Sequence, residues 1–162
     1  MKFVCLIFFW WVLSLVLCVW VQHIFPGVDC FAPLFILSLQ ERKYNYTLLL
    51  GTIGICIHEG TGVLAFGSSL LWYSGLLFFF LLLCQYLPRK SPLLLLLLSI
   101  FSGLWHWIIL FTMTHLQEIL FDPRELFVNS IHMALLFPLL WTIFFFWYAI
   151  RGKKGNVTQQ NV

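Results

Sequence analysis

Six apolar runs separated by short polar breaks make up almost the whole chain, and the runs are unequal. Phe3 to Val21 is 19 residues without a charge, which at 1.5 Å per residue just crosses a hydrocarbon core of about 30 Å. Val63–Leu87, Leu93–Leu116 and Leu126–Ile150 are longer still. The two runs between them are not. Phe31 to Leu39 holds nine residues with Pro33 inside, and Tyr44 to Ile57 holds 14 before His58, where a standard span needs roughly 20. The pattern predicts an all-α membrane protein with six transmembrane segments, the second and third short or broken. Those two either cross where the protein interior shields their ends or form a hairpin dipping in from one side. Pro26, Gly27 and Asp29 mark the first turn, Pro88-Arg89-Lys90-Ser91-Pro92 another, and Pro138 inside the last run predicts a kink.

Composition narrows this further. Of the 162 residues, 62% are hydrophobic and 9% charged, whereas a soluble domain carries roughly a quarter charged residues. Too little polar surface exists for a water-facing domain, so residues 1–151 read as one polytopic membrane domain and residues 152–162 as a polar tail. Lys2 and the run after it resemble a signal peptide, but the run is long for one and no small-x-small site follows, so it is expected to remain as the first span. The five cysteines are scattered singly, with no CxxC pair, and suit core or lipid-facing positions.

With six crossings, Lys2, Arg42, Lys43, Arg89, Lys90, Arg151, Lys153 and Lys154 fall on one side, eight of the nine cations, and only Arg124 on the other. Cytoplasmic loops retain Lys and Arg, so both termini are expected in the cytoplasm, and the net charge of +3 needs no nucleic acid to explain it. A four-span arrangement with Phe31–Ile57 as a hairpin from outside would strand Arg42 and Lys43 on the wrong face.

Candidate chemistry centres on Gly51–Gly67, where His58-Glu59-Gly60-Thr61-Gly62 interrupts two apolar runs. Polar groups this tightly set in hydrocarbon form a tight interfacial turn or line a shallow cavity. His58, Glu59, His115, Glu118 and His132 fall near the outer face, and His106 at mid-depth between Trp105 and Trp107 is a functional candidate as an intramembrane ionisable group. A metal or haem site is disfavoured: there is no HExxH, and His106 and His115, nine residues apart, lie on opposite helix faces. Ser68, Ser69 and Ser102 lie in no GxSxG or SxxK context and read as helix-packing residues. Trp20, Trp72 and Trp147, near span ends, suit interfacial anchoring. The sequon Asn45-Tyr46-Thr47 falls on the cytoplasmic side and is expected to be silent.

Asp29 before a short apolar segment, the polar cluster Gln40–Lys43 after it, and Gly51, Gly54, Gly60 and Gly62 punctuating the next segment and its turn give the chain its one family likeness. It resembles MreD, the membrane component of the bacterial rod-shape complex. The resemblance implies a non-catalytic scaffold of cell-wall elongation in the bacterial inner membrane, with an MreC-like protein and, through it, cell-wall synthesis enzymes as partners and no cofactor. The fold it implies is similar to the substrate-binding subunits of energy-coupling-factor vitamin transporters, which makes such a subunit the alternative, with a haem or metal membrane protein behind it. Partner- or ligand-binding candidates are Asp29, His58, Glu59, Gly60, Gly62, Gly67, Ser68, Gly75 and His106. Gly67, Ser68 and Gly75 would let a partner helix approach, and the two short segments are expected to line a groove opening near His58 and Glu59.

Overall fold

The computed structural model describes residues 2–24, 28–60, 67–118 and 122–159, with side chains placed over 9, 12–24, 28–60, 67–118 and 122–149. These residues form six helices, α1 (Lys2–Ile24), α2 (Phe31–Gln40), α3 (Tyr44–Gly60), α4 (Ser68–Tyr86), α5 (Pro92–Leu116) and α6 (Pro123–Gln159), with no strand among them. The all-α expectation holds. Six spans are not supported: among the described residues α4, α5 and the Pro123–Ala149 stretch of α6 are long and apolar enough to cross a membrane, while α2 and the described Val12–Ile24 part of α1 are shorter apolar helices. Three such helices make this a membrane protein. The expected shortness of the second run holds: the ten residues of α2 rise about 15 Å, half a hydrocarbon core.

α2 is central. All ten of its residues are buried, and α3, α4 and α6 pack around it. A helix wrapped by protein within the membrane has no water for its terminal N–H and C=O groups, so each end needs an internal partner. At the N-terminal end the Asp29 carboxylate accepts from the N–H of Phe31 at 2.8 Å and of Ala32 at 3.3 Å. Pro33, next in line, has no N–H to satisfy. At the other end Lys43 N–H reaches the Ser38 carbonyl at 3.0 Å and Arg42 N–H reaches Leu39 at 3.1 Å, a Schellman closure with Arg42 in the left-handed position at φ 56°. The Gln40 side chain donates to the Arg89 carbonyl and accepts from the Trp141 indole N–H, tying this end to the α4–α5 turn and to α6.

α3 runs back antiparallel to α2 and presents its small residues to it. Gly51 faces the Phe35 ring, and the Tyr73 hydroxyl of α4 lies against Gly54, so these two glycines make room for the edge-to-face Phe35–Tyr73 pair at 5.4 Å. The buried Ser38 and Thr47 hydroxyls close the hairpin at 2.7 Å. α1 meets the rest along one stripe, Ser14 and Cys18, both fully buried, and Gln22 one further turn along.

α5 packs most extensively on α6. A β-carbon on Gly103 would stand 2.7 Å from the Ala134 methyl and 2.9 Å from the Ser130 carbonyl oxygen, so the pair depends on glycine there. One turn away, the expected kink site at Pro138 lies inside a continuous α6. Proline cannot donate to the carbonyl four residues back, which is Ala134, and the Ser99 hydroxyl of α5 donates to that carbonyl instead.

Ser99→Ala should therefore cost about 1–3 kcal/mol, the price of an unsatisfied buried carbonyl. In a Pro138→Ala background, where the backbone N–H is restored, the same change should cost far less. Unfolding of the four proteins of this double-mutant cycle in mixed detergent micelles measures the coupling.

Candidate functional site

The head of α2 gathers side chains from five other parts of the chain around one carboxylate. Asp29 is 3% exposed. Beside the two backbone N–H groups of its own helix, its Oδ2 accepts from the Trp72 indole N–H of α4 at 2.8 Å, and its Oδ1 lies 3.3 Å from His58 Nε2 at the end of α3. Gln22 of α1 reaches the same ring nitrogen at 3.1 Å. Asp29 N–H points to the Met133 sulfur of α6 at 3.4 Å, and the Cys18 thiol of α1 donates to the Cys30 carbonyl at 3.4 Å.

Four N–H donors around one carboxylate fill its lone-pair sites and fit only the ionised form. Burial raises the Asp29 pKa, but the charge and hydrogen bond of His58, with the hydroxyl of Tyr73 and the indole of Trp72, outweigh it and hold the carboxyl below its ordinary range. The Tyr73 hydroxyl stands close enough to act on the carboxylate without closing a hydrogen bond of standard geometry. An ionised Asp29 in turn fixes its neighbours. His58 must carry its proton on Nε2 to face Asp29, so Gln22 must present its amide oxygen, not its nitrogen, to that N–H.

His106 of α5 joins this group from behind. Its ring packs edge-on against Trp72 at 5.3 Å, and its Nδ1 is closed off from solvent with no hydrogen-bond partner among the described residues. The structure thus brings together Asp29, His58 and His106, with the last one ring removed from the carboxylate. The other expected residues are placed elsewhere. Glu59 accepts from Gly67 N–H at 2.9 Å and bridges the α3–α4 turn. Gly67 caps α4 at φ 95°, a backbone that suits glycine. Gly60 ends α3 in open space, and Gly62 lies outside the described residues. Ser68 is buried at the start of α4, and the Trp105 indole covers Gly75. Of the small residues expected to receive a partner helix, Ser68 and Gly75 are covered inside this chain, while Gly67 has open space where a β-carbon would stand.

Two further expectations change. Trp72 is not an interfacial anchor: it is 5% exposed and donates to Asp29. The expected groove along the second and third segments has no wall on the α2 side, because α2 keeps no exposed face. Gln22, Tyr73 and Met133 are the site residues that the sequence reading passed over, and Trp72 was given another role. The available signal was an aromatic with a polar handle inside an apolar run, which seeks a partner when buried.

Chemically, the arrangement holds a proton between His58 and Asp29 and ties α1, α3 and α4 to the head of α2. No three His, Cys, Asp or Glu side chains converge as metal ligands among the described residues.

Asp29→Ala should lower stability by about 3–5 kcal/mol, since it strands His58 and the first-turn N–H groups, and Asp29→Asn, which keeps an acceptor, by less. The exposed Glu125→Ala should stay within about 0.5 kcal/mol of the wild type. Unfolding in mixed micelles ranks the three.

Comparison with protein families, with characterised proteins and with solved structures finds no match to this chain.

Proposed function

We propose that this chain is a non-catalytic membrane scaffold of the MreD type. It serves the cell-wall elongation complex in a bacterial cytoplasmic membrane and binds an MreC-like protein and, through it, the wall-synthesis enzymes. The observation that carries this reading is the way polar side chains are spent. Asp29, the acidic residue on which the resemblance rests, caps a buried half-length helix and locks its neighbours. Gln40 does the same at the opposite end. With these groups engaged internally, what remains outside is apolar helix surface, such as Leu93, Leu96, Ile100 and Leu104 along α5, together with short turns. Lipid and partner helices are the ligands such a surface takes.

The transporter-subunit alternative needs an outward pocket beside the short segments. The complete burial of α2 weighs against it. Tagged protein extracted in mild detergent should copurify an MreC-like membrane protein, and its depletion should turn rods into spheres. Copurification of an ATPase module with a retained small molecule would replace this reading with the transporter one.

Orientation follows from the same end of the bundle. The α2–α3 and α4–α5 turns meet through Gln40 with Arg89 and Lys90 with Glu41 at 2.7 Å, and Lys43 lies over the Tyr148 ring at 4.8 Å. These clustered cations belong on the cytoplasmic side. A cysteine replacing Lys43 should resist a membrane-impermeant maleimide in intact cells and react once the membrane is opened; efficient labelling from outside would reverse the orientation.

A further inference from the structure

Of the four groups that hold Asp29, three cannot lose their proton under ordinary conditions: the N–H groups of Phe31 and Ala32 and the indole of Trp72. The fourth is an imidazole. The His58 side chain is 32% exposed beside a carboxylate that is 4% exposed, so solvent protons reach one partner and not the other. The same ring nitrogen also holds Gln22, and so links α1 to α3. The described contacts of α1 run through Ser14 and Cys18 with flanking Leu15 and Val21, while Val12, Leu13, Val16, Leu17, Val19 and Trp20 face outward.

We infer that this corner is a proton-operated latch: a cationic His58 clamps Asp29 by charge as well as by its Nε2–H, holds Gln22 and closes α1 and α3 on the head of α2, and loss of its Nδ1 proton leaves a neutral Nε2–H donor without the charge and weakens the hold on α1 and α3 there. Asp29 stays with α2 and α4 through its three permanent donors, so the movement is confined to the corner. The groups that face the pair are Gln22 and Cys18 from α1, Cys30 from the linker, Trp72 and Tyr73 from α4, His106 behind Trp72 from α5, and Met133 from α6. Glu59 is turned to Gly67 and does not compete for His58.

The direction of the switch follows from the two shifts. Burial opposes charge on His58, but the Asp29 charge and hydrogen bond prevail and raise its pKa above the ordinary value of 6.5. A raised imidazole contributes its stabilisation fully below the unfolded value and loses it as pH rises through the folded one. The lowered carboxyl of Asp29 sets the opposite limit, its contribution being lost as pH falls through its own folded value. The latch is therefore closed in mildly acidic surroundings, opens on the alkaline side, and fails again in strong acid. It does not depend on the proposed scaffold role.

Hydrogen–deuterium exchange of the full-length protein in lipid nanodiscs tests this, at pH 6 and pH 9 with labelling times scaled for intrinsic exchange. Peptides covering residues 18–24, 28–32 and 54–60 should exchange several-fold faster at the higher pH, while peptides from the centre of α4 should not change. His58→Gln, which can still hydrogen-bond but does not titrate, should abolish the difference. Equal protection of the wild type at both pH values, or an unchanged pH response in His58→Gln, would overturn the latch. Should that variant fail to fold, the ¹⁵N resonances of the His58 ring in the wild type decide: titration between pH 6 and 9 in step with the exchange supports the latch, and a ring that stays in one protonation state sinks it.

Discussion

A helix half as long as the membrane is thick, enclosed by its neighbours, sets the conditions for everything around it. The ten residues of α2 are buried, and a buried terminal N–H or C=O group left alone would cost several kcal/mol. Asp29 answers at one end and the Schellman turn with Gln40 at the other. Both devices reach beyond α2, because a buried carboxylate needs more donors than its own helix supplies and a buried amide has two ends to satisfy. Trp72, His58 and, through it, Gln22 are drawn to the first, and Arg89 and Trp141 to the second. The polar ends of α2 thereby fix the registers of α1, α3, α4 and α6.

The α5–α6 pair follows the same rule in another form. A proline inside a spanning helix frees a carbonyl, and a serine on the adjacent helix takes it up. That hydrogen bond requires close axes, which Gly103 permits against Ala134 and Ser130. On the opposite side of the bundle Gly51 and Gly54 admit aromatic rings from α2 and α4. Gly51, Gly54, Gly75 and Gly103 thus serve internal packing, and large apolar side chains such as Leu93, Leu96, Ile100 and Leu104 face outward.

Two kinds of polar residue can be told apart in this protein. Those at the cation-rich end, Glu41, Lys43, Arg89 and Lys90, sit at the rim, and the exposed Lys90–Glu41 pair adds little stability of its own. Those at the Asp29 end are buried and coupled, so removing one strands others. The proposed scaffold role and the proposed latch both grow from this inequality, the first using the cation-rich rim for orientation and the second the coupled groups around Asp29.

The sequence by itself determined that this is an all-helical membrane protein, where its turns fall, and that the second and third runs are shorter than a standard span; it offered Asp29, His58 and His106 only among a wider set of candidates that included Glu59 and several small residues. Those conclusions rest on local properties, namely run length, charge and the breaking power of proline and glycine. Only the tertiary structure decided that the short segment is a buried centre and not the wall of a groove, since burial depends on what packs on every side of a helix. It also decided that Trp72 and Gln22 belong to the Asp29 site and that Gly75 lies under Trp105, because these partners are 43, 36 and 30 residues apart in chain order and no periodicity within one run encodes which faces of different runs will meet.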